Sequence, residues 1–207
     1  MPPPLARTRG AHGIRGFSMV EVLIAIVVLS FGMLGMVGLQ AFSIQANRDA
    51  RMQSIAVDLG RELAEIMRGN KQVGVQTSSA SNPYLVNLTS PLTLSTSSYC
   101  LRVANASTGC SSTLTLAQSQ MTEWLSRVDS QLPGARVVVC FDNAPYDASS
   151  GLPVWACSGP AANTGTIVVK MGWTRGSTDR SSTTVDRATD TNSRPLLIMP
   201  LTAGNSI

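Results

Sequence analysis

A long, almost entirely apolar stretch lies near the start of the chain. Between Val22 and Leu39 the only polar side chain is Ser30, and no Asp, Glu, Lys or Arg occurs from Val22 to Asn47. A membrane-spanning helix needs about 20 mostly apolar residues, because the hydrocarbon core is about 30 Å thick and each residue adds about 1.5 Å. The pattern therefore predicts a membrane helix that is retained in the mature protein.

Two other interpretations of this stretch are a removed signal peptide and a buried helix of a soluble domain. A signal peptide has a shorter apolar core of about 7–15 residues, and an A-x-A-like cleavage site follows it. The stretch is longer than that, and no such site follows.

Arg7, Arg9 and Arg15 precede the apolar stretch, so the positive-inside rule predicts a single-pass helix with a cytoplasmic N-terminus and an exported remainder.

A helical pattern continues beyond the apolar stretch. Apolar side chains recur every three or four residues and form one stripe, at Met52, Ile55, Leu59, Leu63 and Ile66. Charged residues occupy the other faces, and Gly69-Asn70 is suited to end a helix. We expect one long helix, with an apolar half over 17–47 and an amphipathic half over 48–69.

The remaining residues, 70–207, predict one globular head. Residues 72–101 carry no charge and are rich in Ser and Thr, which predicts a polar connection with short strands such as LTLS at 92–95. A helix is expected over 115–131, where an apolar stripe that includes Trp124 is followed by the helix-stopping pair Pro133-Gly134.

Three later segments are rich in β-branched and apolar residues and predict strands: 135–141, 166–174 and 195–201. The last is expected at a sheet edge because prolines bracket it. The polar segment 175–194 between them predicts an exposed hairpin or loop. The expected fold class is α+β, with a long N-terminal helix packed on a small antiparallel sheet.

Charge does not indicate a nucleic-acid-binding protein. The chain has 16 basic and 12 acidic residues and a formal net charge of +4. Three of the basic residues lie before Phe17, where no acidic residue occurs, so the rest of the chain is close to neutral. Its few aromatic residues and scattered arginines form no stripe of the kind that binds single strands. No specific nucleic-acid partner is expected.

All cysteines lie beyond the apolar stretch, at Cys100, Cys110, Cys140 and Cys157. An even number on the exported side predicts disulfides. Three connectivities are open, and pairs of sequence neighbours, Cys100–Cys110 and Cys140–Cys157, are favoured because they close small loops. The spacings match no zinc site, so no metal is expected.

The residues just before the apolar stretch resemble the processing site of type IV prepilins. In RGFSMVE (15–21), Gly16 stands where a prepilin peptidase cuts, Phe17 would become the N-methylated new N-terminus, and Glu21 would be the fifth mature residue. The resemblance implies a cleaved cytoplasmic leader, 1–16, and a helix, 17–47, that lies in the bacterial inner membrane and then in a filament core.

Glu21 is the one charge at the edge of the apolar stretch. Residues 17 and 21 are four apart and share one helix face. An unpaired carboxylate costs several kcal/mol in hydrocarbon, so we expect Glu21 to pair with the terminal amine of an adjacent subunit. The alternative is a carboxylate that reaches interfacial water.

Residue types argue against an enzyme. The only histidine, His12, lies within the expected leader, so a Ser-His-Asp or Cys-His arrangement would not survive processing. Neither Lys71 nor Lys170 lies in a Ser-Lys motif, and no phosphate-binding loop is present. We expect a structural protein without a cofactor.

The head more loosely resembles minor pilins of the PilV type, the type IV pilus modification proteins. The resemblance rests on YCLRVAN (99–105), the helix with Trp124, LPGARVVVC (132–140) and VKMGW (169–173). It implies a low-abundance subunit that primes pilus assembly at the tip, and so serves twitching motility and adhesion. Implied partners are other minor and major pilins, the prepilin peptidase, the assembly platform and a tip adhesin. A pseudopilin of a type II secretion system remains the main alternative, and a DNA-receptor pilin a further one.

Overall fold

The computed structural model describes residues 16–159, 165–176 and 185–204. The expected leader therefore lies, except for Gly16, outside the described residues. The chain divides into two compact units, Met1–Asn47 and Arg48–Ile207. Helix α1 (Met19–Gly69) contributes residues to both units.

In the first unit, the described chain is almost wholly helical and exposed. Every side chain from Gly16 to Asn47 is exposed, although most are apolar. Among the described residues, α1 is the one helix long and apolar enough to cross a membrane. Removing apolar surface from water contributes about 25 cal/mol per Å², so lipid or protein is needed to cover this surface.

In the second unit, the last part of α1 supplies one side of the core. Its buried residues are Met52, Ala56, Leu59, Gly60, Leu63, Ala64 and Met67. The predicted stripe was therefore only partly right, because Ile55 and Ile66 lie at the margin of the contact and are half-buried. The centre of the contact lies at Gly60, where an added Cβ would come 2.5 Å from the methyl carbon of Met199. A helix face with small residues can approach the sheet closely.

Helix α2 is a single turn, Lys71–Gly74, and α3 spans Thr113–Gln131. The α3 helix begins two residues before its predicted start, because Ser112 and Thr115 form a reciprocal cap. The Ser112 hydroxyl accepts from the Thr115 N–H at 3.1 Å, and the Thr115 hydroxyl accepts from the Ser112 N–H at 2.9 Å. Its buried face includes Ala117, Met121, Trp124, Leu125 and Val128, which is the stripe that the sequence predicted.

The main sheet has four antiparallel strands, in the order β1-β2-β3-β6. They are β1 (Val86–Thr89), β2 (Arg136–Phe141), β3 (Ile167–Gly172) and β6 (Leu197–Leu201). Short strands β4 (Arg175–Gly176) and β5 (Val185–Asp186) pair separately, within the segment predicted as a hairpin or loop. The expectation for LTLS at 92–95 was wrong: the strand lies at 86–89, where Val86 and Leu88 alternate toward the core and Pro91 follows.

The inner face of the sheet packs against α1 and α3. Val137, Val139, Val169 and Met171 project from β2 and β3 into the same core as Trp124. The indole N–H of Trp124 donates to the carbonyl oxygen of Leu59 at 2.9 Å, which ties α3 to α1. The predicted α+β class, a long N-terminal helix packed on a small antiparallel sheet, is confirmed.

Candidate functional site: the N-terminal segment and the disulfide-bonded head

The bond expected to be cut, between Gly16 and Phe17, lies ahead of the first helix. Ser18 caps α1, since its hydroxyl accepts from the Val20 N–H at 3.3 Å and its carbonyl accepts from the Glu21 N–H at 3.0 Å. Phe17 is 84% exposed. The residues on both sides of the bond are therefore outside the helix and open to solvent.

Glu21 lies in the first turn of α1. A negative charge there is favourable because the unpaired N–H groups make the helix N-terminus partly positive. Within the described part of the chain, Glu21 forms no ion pair. In the uncleaved chain, Phe17 offers only a peptide N–H. Cleavage after Gly16 would create a cationic amine four residues before this carboxylate.

The head contains two disulfides, each between sequence neighbours. Cys100 pairs with Cys110, with their Cα atoms 5.0 Å apart, and Cys140 pairs with Cys157 at 6.3 Å. These are the two pairs that loop size favoured. Each typically stabilises a fold by about 2–4 kcal/mol, in an oxidising compartment that permits it.

The loop closed by Cys140 and Cys157 covers the outer face of the sheet, and a buried ion pair holds it there. The Nζ atom of Lys170, on β3, lies 2.5 Å from Oδ2 of Asp142, and both side chains are fully buried. The same ammonium group donates to the carbonyl oxygens of Val154 and Ala156, at 2.8 and 2.5 Å. A lysine from the sheet therefore binds both ends of the loop.

Asp142 is held as a carboxylate by this network. Burial is the largest single influence and raises its pKa, but hydrogen bonds from Lys170, the Ala144 N–H and Ser158 together outweigh burial. The net effect is a pKa below the usual value for an aspartate. Sequence reasoning missed this pair, whose aspartate begins the segment DNAPYD (142–147).

Trp155 completes the cover over the sheet. Its ring lies against Gly172, where an added Cβ would come 3.0 Å from the ring carbons. The guanidinium carbon of Arg136 stands 4.4 Å from a ring centroid of Trp155, and the indole N–H donates to the Ser193 hydroxyl at 3.1 Å. The outer face of the sheet is therefore closed by a fixed loop rather than by a helix.

Among the described residues, no group of three or more His, Cys, Asp or Glu side chains is placed to hold a metal ion. Asp142 is engaged by Lys170, and Asp147 accepts hydrogen bonds from the Ser149 and Ser150 hydroxyls at 2.6 and 2.8 Å. These contacts give the two acidic residues of DNAPYD structural roles in their own loop.

Comparison with known proteins places the N-terminal segment in a recognised class of motif. Residues 12–37 match the family described as the prokaryotic N-terminal methylation motif. The matched range contains Gly16, Phe17, Glu21 and the first part of α1. No curated protein and no solved structure matches the chain.

The motif supports a type IV pilin-like prepilin. Proteins with this motif are structural subunits that are processed by a prepilin peptidase and assemble with other pilins. The apolar helix fits membrane anchoring, and the paired cysteines fit an exported head. Together, the motif, the exposed apolar helix and the α+β head indicate a protein of the type IV pilin or pseudopilin class.

Proposed function

We propose that this chain is a minor pilin of a type IV pilus, of the PilV type, that primes filament assembly at the pilus tip. The observation that carries the proposal is the methylation motif at 12–37, which extends into an exposed apolar helix that leads to a disulfide-bonded head. Twitching motility and adhesion would depend on it through the filament. Its contribution is assembly and interaction rather than catalysis.

In this proposal each part of the chain has a task. The leader, 1–16, is removed in the cytoplasm by cleavage after Gly16, and the amine of Phe17 is methylated. Residues 17–47 hold the subunit in the inner membrane, with a single pass, and later pack in the filament core. Residues 48–69 carry the head, 70–207, which is exported and ends on the pilus surface.

Glu21 supplies the charge that sets the register of assembly. No side chain from Gly16 to Asn47 is buried within the subunit. Lipid or neighbouring helices must therefore cover this surface. Inside such a bundle an isolated carboxylate is costly, and a cationic terminal amine of the adjacent subunit would relieve that cost. The partners are therefore other minor and major pilins, together with the assembly platform and a tip adhesin.

Gene deletion separates this function from that of a pseudopilin. We expect loss of surface pili and of twitching, both restored by the wild-type gene, with exoprotein secretion unchanged. Loss of secretion with normal pili would identify a type II secretion pseudopilin instead. Normal pili, twitching and secretion together would contradict both roles.

A further inference from the structure

Strand β1 forms one edge of the four-stranded sheet. It pairs with β2 on one side, in the register Val86↔Val139 to Thr89↔Arg136, and no described strand pairs with its other side. An open edge presents a row of main-chain N–H and C=O groups to any extended chain that approaches.

The hydrogen-bonding pattern shows which groups of β1 face outward. The Ser90 N–H donates to the Ala135 carbonyl oxygen at 2.8 Å, and this pair continues the β1–β2 register. Bonded pairs alternate along an antiparallel ladder. The main-chain N–H and C=O groups of Val86 and Leu88 therefore face β2. Those of Asn87 and Thr89 face away from β2. Within the described chain, neither outward N–H has a hydrogen-bond partner.

A groove runs along this edge. Its volume is about 710 Å³, and its lining includes Leu85, Val86, Leu88, Leu94, Thr96 and Val138. The segment Thr93–Thr96, which adopts no regular structure, also lines the groove. A four-residue strand is about 13 Å long at 3.3 Å per residue, so the groove follows a short strand rather than a point contact.

The groove carries no charge. None of the described residues that line it is Asp, Glu, Lys or Arg, and the whole stretch from Gln72 to Leu101 is uncharged. Sheet edges that must avoid other chains are commonly protected by charged residues, prolines or a covering element. Asn87 and Thr89 are neither charged nor proline, and both are exposed.

We propose that the β1 edge accepts an extended, uncharged β-strand from a different subunit of the same assembly. This inference rests on the proposed function, which requires contacts with other pilins. The incoming strand would pair with the main-chain groups of Asn87 and Thr89, as in other cases of strand addition. A charged strand is disfavoured because the groove offers no counter-charge to repay its desolvation. The partner strand therefore consists of small apolar and hydroxyl residues.

A single substitution can close this edge without breaking the sheet. Asn87→Pro removes the outward N–H, and it leaves the β1–β2 hydrogen bonds intact because those belong to Val86 and Leu88. Proline is tolerated on edge strands where the N–H faces outward, and it favours an extended residue before it. Asn87→Ala is the matched control, since it removes the side chain and keeps the N–H.

The binding test uses the full-length chain in detergent micelles. The probe is an acetylated and amidated hexapeptide of alternating Thr and Val, and its fully N-methylated form serves as a blocked probe. We expect the wild type and Asn87→Ala to bind the first probe, and Asn87→Pro to bind it about tenfold more weakly or worse. The blocked probe should bind to none of them. Equal binding by all three proteins, or no binding by the wild type, would overturn the proposal.

In cells, Asn87→Pro should be processed normally but recovered in sheared filaments several-fold less than Asn87→Ala. Equal recovery of the two variants would contradict a role in assembly. If β1 instead pairs with a second copy of the chain, the purified wild type will dimerise and Asn87→Pro will not, which would overturn the choice of partner. If the Asn87→Pro tests contradict strand addition at β1 while processing and pili are normal, the proposed function is unaffected. Normal pili and twitching after gene deletion would contradict that function independently.

Discussion

Lys170 Nζ lies 2.5 Å from Asp142 Oδ2, and neither side chain is accessible to solvent. The pair joins the centre of the sheet to the first residue after β2. Because Lys170 also binds the carbonyl oxygens of Val154 and Ala156, one side chain positions both ends of the loop between Cys140 and Cys157. The disulfide closes that loop covalently, and the lysine sets where it lies.

Removing one partner of this pair should destabilise the head. Lys170→Met leaves a buried carboxylate and two carbonyl groups without their donor, and breaking a buried pair typically costs about 3–5 kcal/mol. Denaturant unfolding of the processed chain in detergent would measure the loss. The matched control is Arg61→Met, which breaks an exposed pair with Asp58 (73% and 72% exposed) and should cost under about 1 kcal/mol. Equal losses would contradict the role of Lys170.

The same pair predicts how stability depends on acid. The folded-state pKa of Asp142 is lowered, so the stability it contributes is present above the unfolded-state pKa of about 3.9. That contribution is lost as pH falls from there through the folded-state pKa. Unfolding curves between pH 3 and 7 should show a loss of stability below about pH 4 that is smaller in Asp142→Asn. An unchanged acid profile in that variant would show that other carboxylates control it.

A buried tyrosine predicts an effect at the opposite end of the pH scale. Burial raises the pKa of Tyr84 to about 12, and the influence of the Asn70 side chain offsets only part of that rise. Stability from the neutral phenol is fully present below pH about 10 and is lost as pH rises toward 12. Absorbance titration at 295 nm should contain a component near pH 12. Tyr84→Phe should remove that component, and its persistence would assign it to another tyrosine.

Local sequence patterns predicted which helices and strands the head contains better than they predicted where each strand lies or what covers the sheet. The α3 stripe was correct because Ala117, Met121, Trp124 and Val128 repeat at the helical period and need no knowledge of other elements. The position of β1 was not predicted correctly, because VNLT and LTLS have similar alternation. Pairing with β2, nearly 50 residues later in the chain, decides between them.

The buried ion pair could not be predicted from local pattern either. Lys170 alternates with Val169 and Met171 along β3, which places it on the face away from the core. That face would be exposed in a two-layer fold, but the return of the loop through Trp155 and Cys157 covers it. A lone lysine inside an otherwise apolar strand was the available signal.

The residue before the expected cut should control processing. Gly16 has no neighbouring heavy atom within 4 Å of an added Cβ, so replacing it does not disturb the fold of this chain. Gly16→Val should therefore leave a folded, membrane-held precursor that the peptidase does not cut. Immunoblotting should show a band heavier than the wild-type product by the leader. Met19→Ala, at an exposed position that is the third residue after the cut, is the control that should still be processed.

Glu21 should matter for assembly rather than for insertion or cleavage. Its side chain forms no ion pair within the described residues and is exposed on the first turn of α1, so its loss removes no ion pair of the isolated subunit. Glu21→Gln keeps size and polarity but removes the charge that would attract the terminal amine of a neighbour. We expect normal membrane insertion and normal processing, with several-fold less protein in sheared filaments.

The matched control is Glu65→Gln. Glu65 is an exposed carboxylate on the same helix that pairs with Arg68 at 2.5 Å, and its replacement should leave filament content unchanged. Equal incorporation of both variants would show that Glu21 reaches interfacial water and needs no partner. Reduced processing of Glu21→Gln would instead assign the residue to recognition by the peptidase.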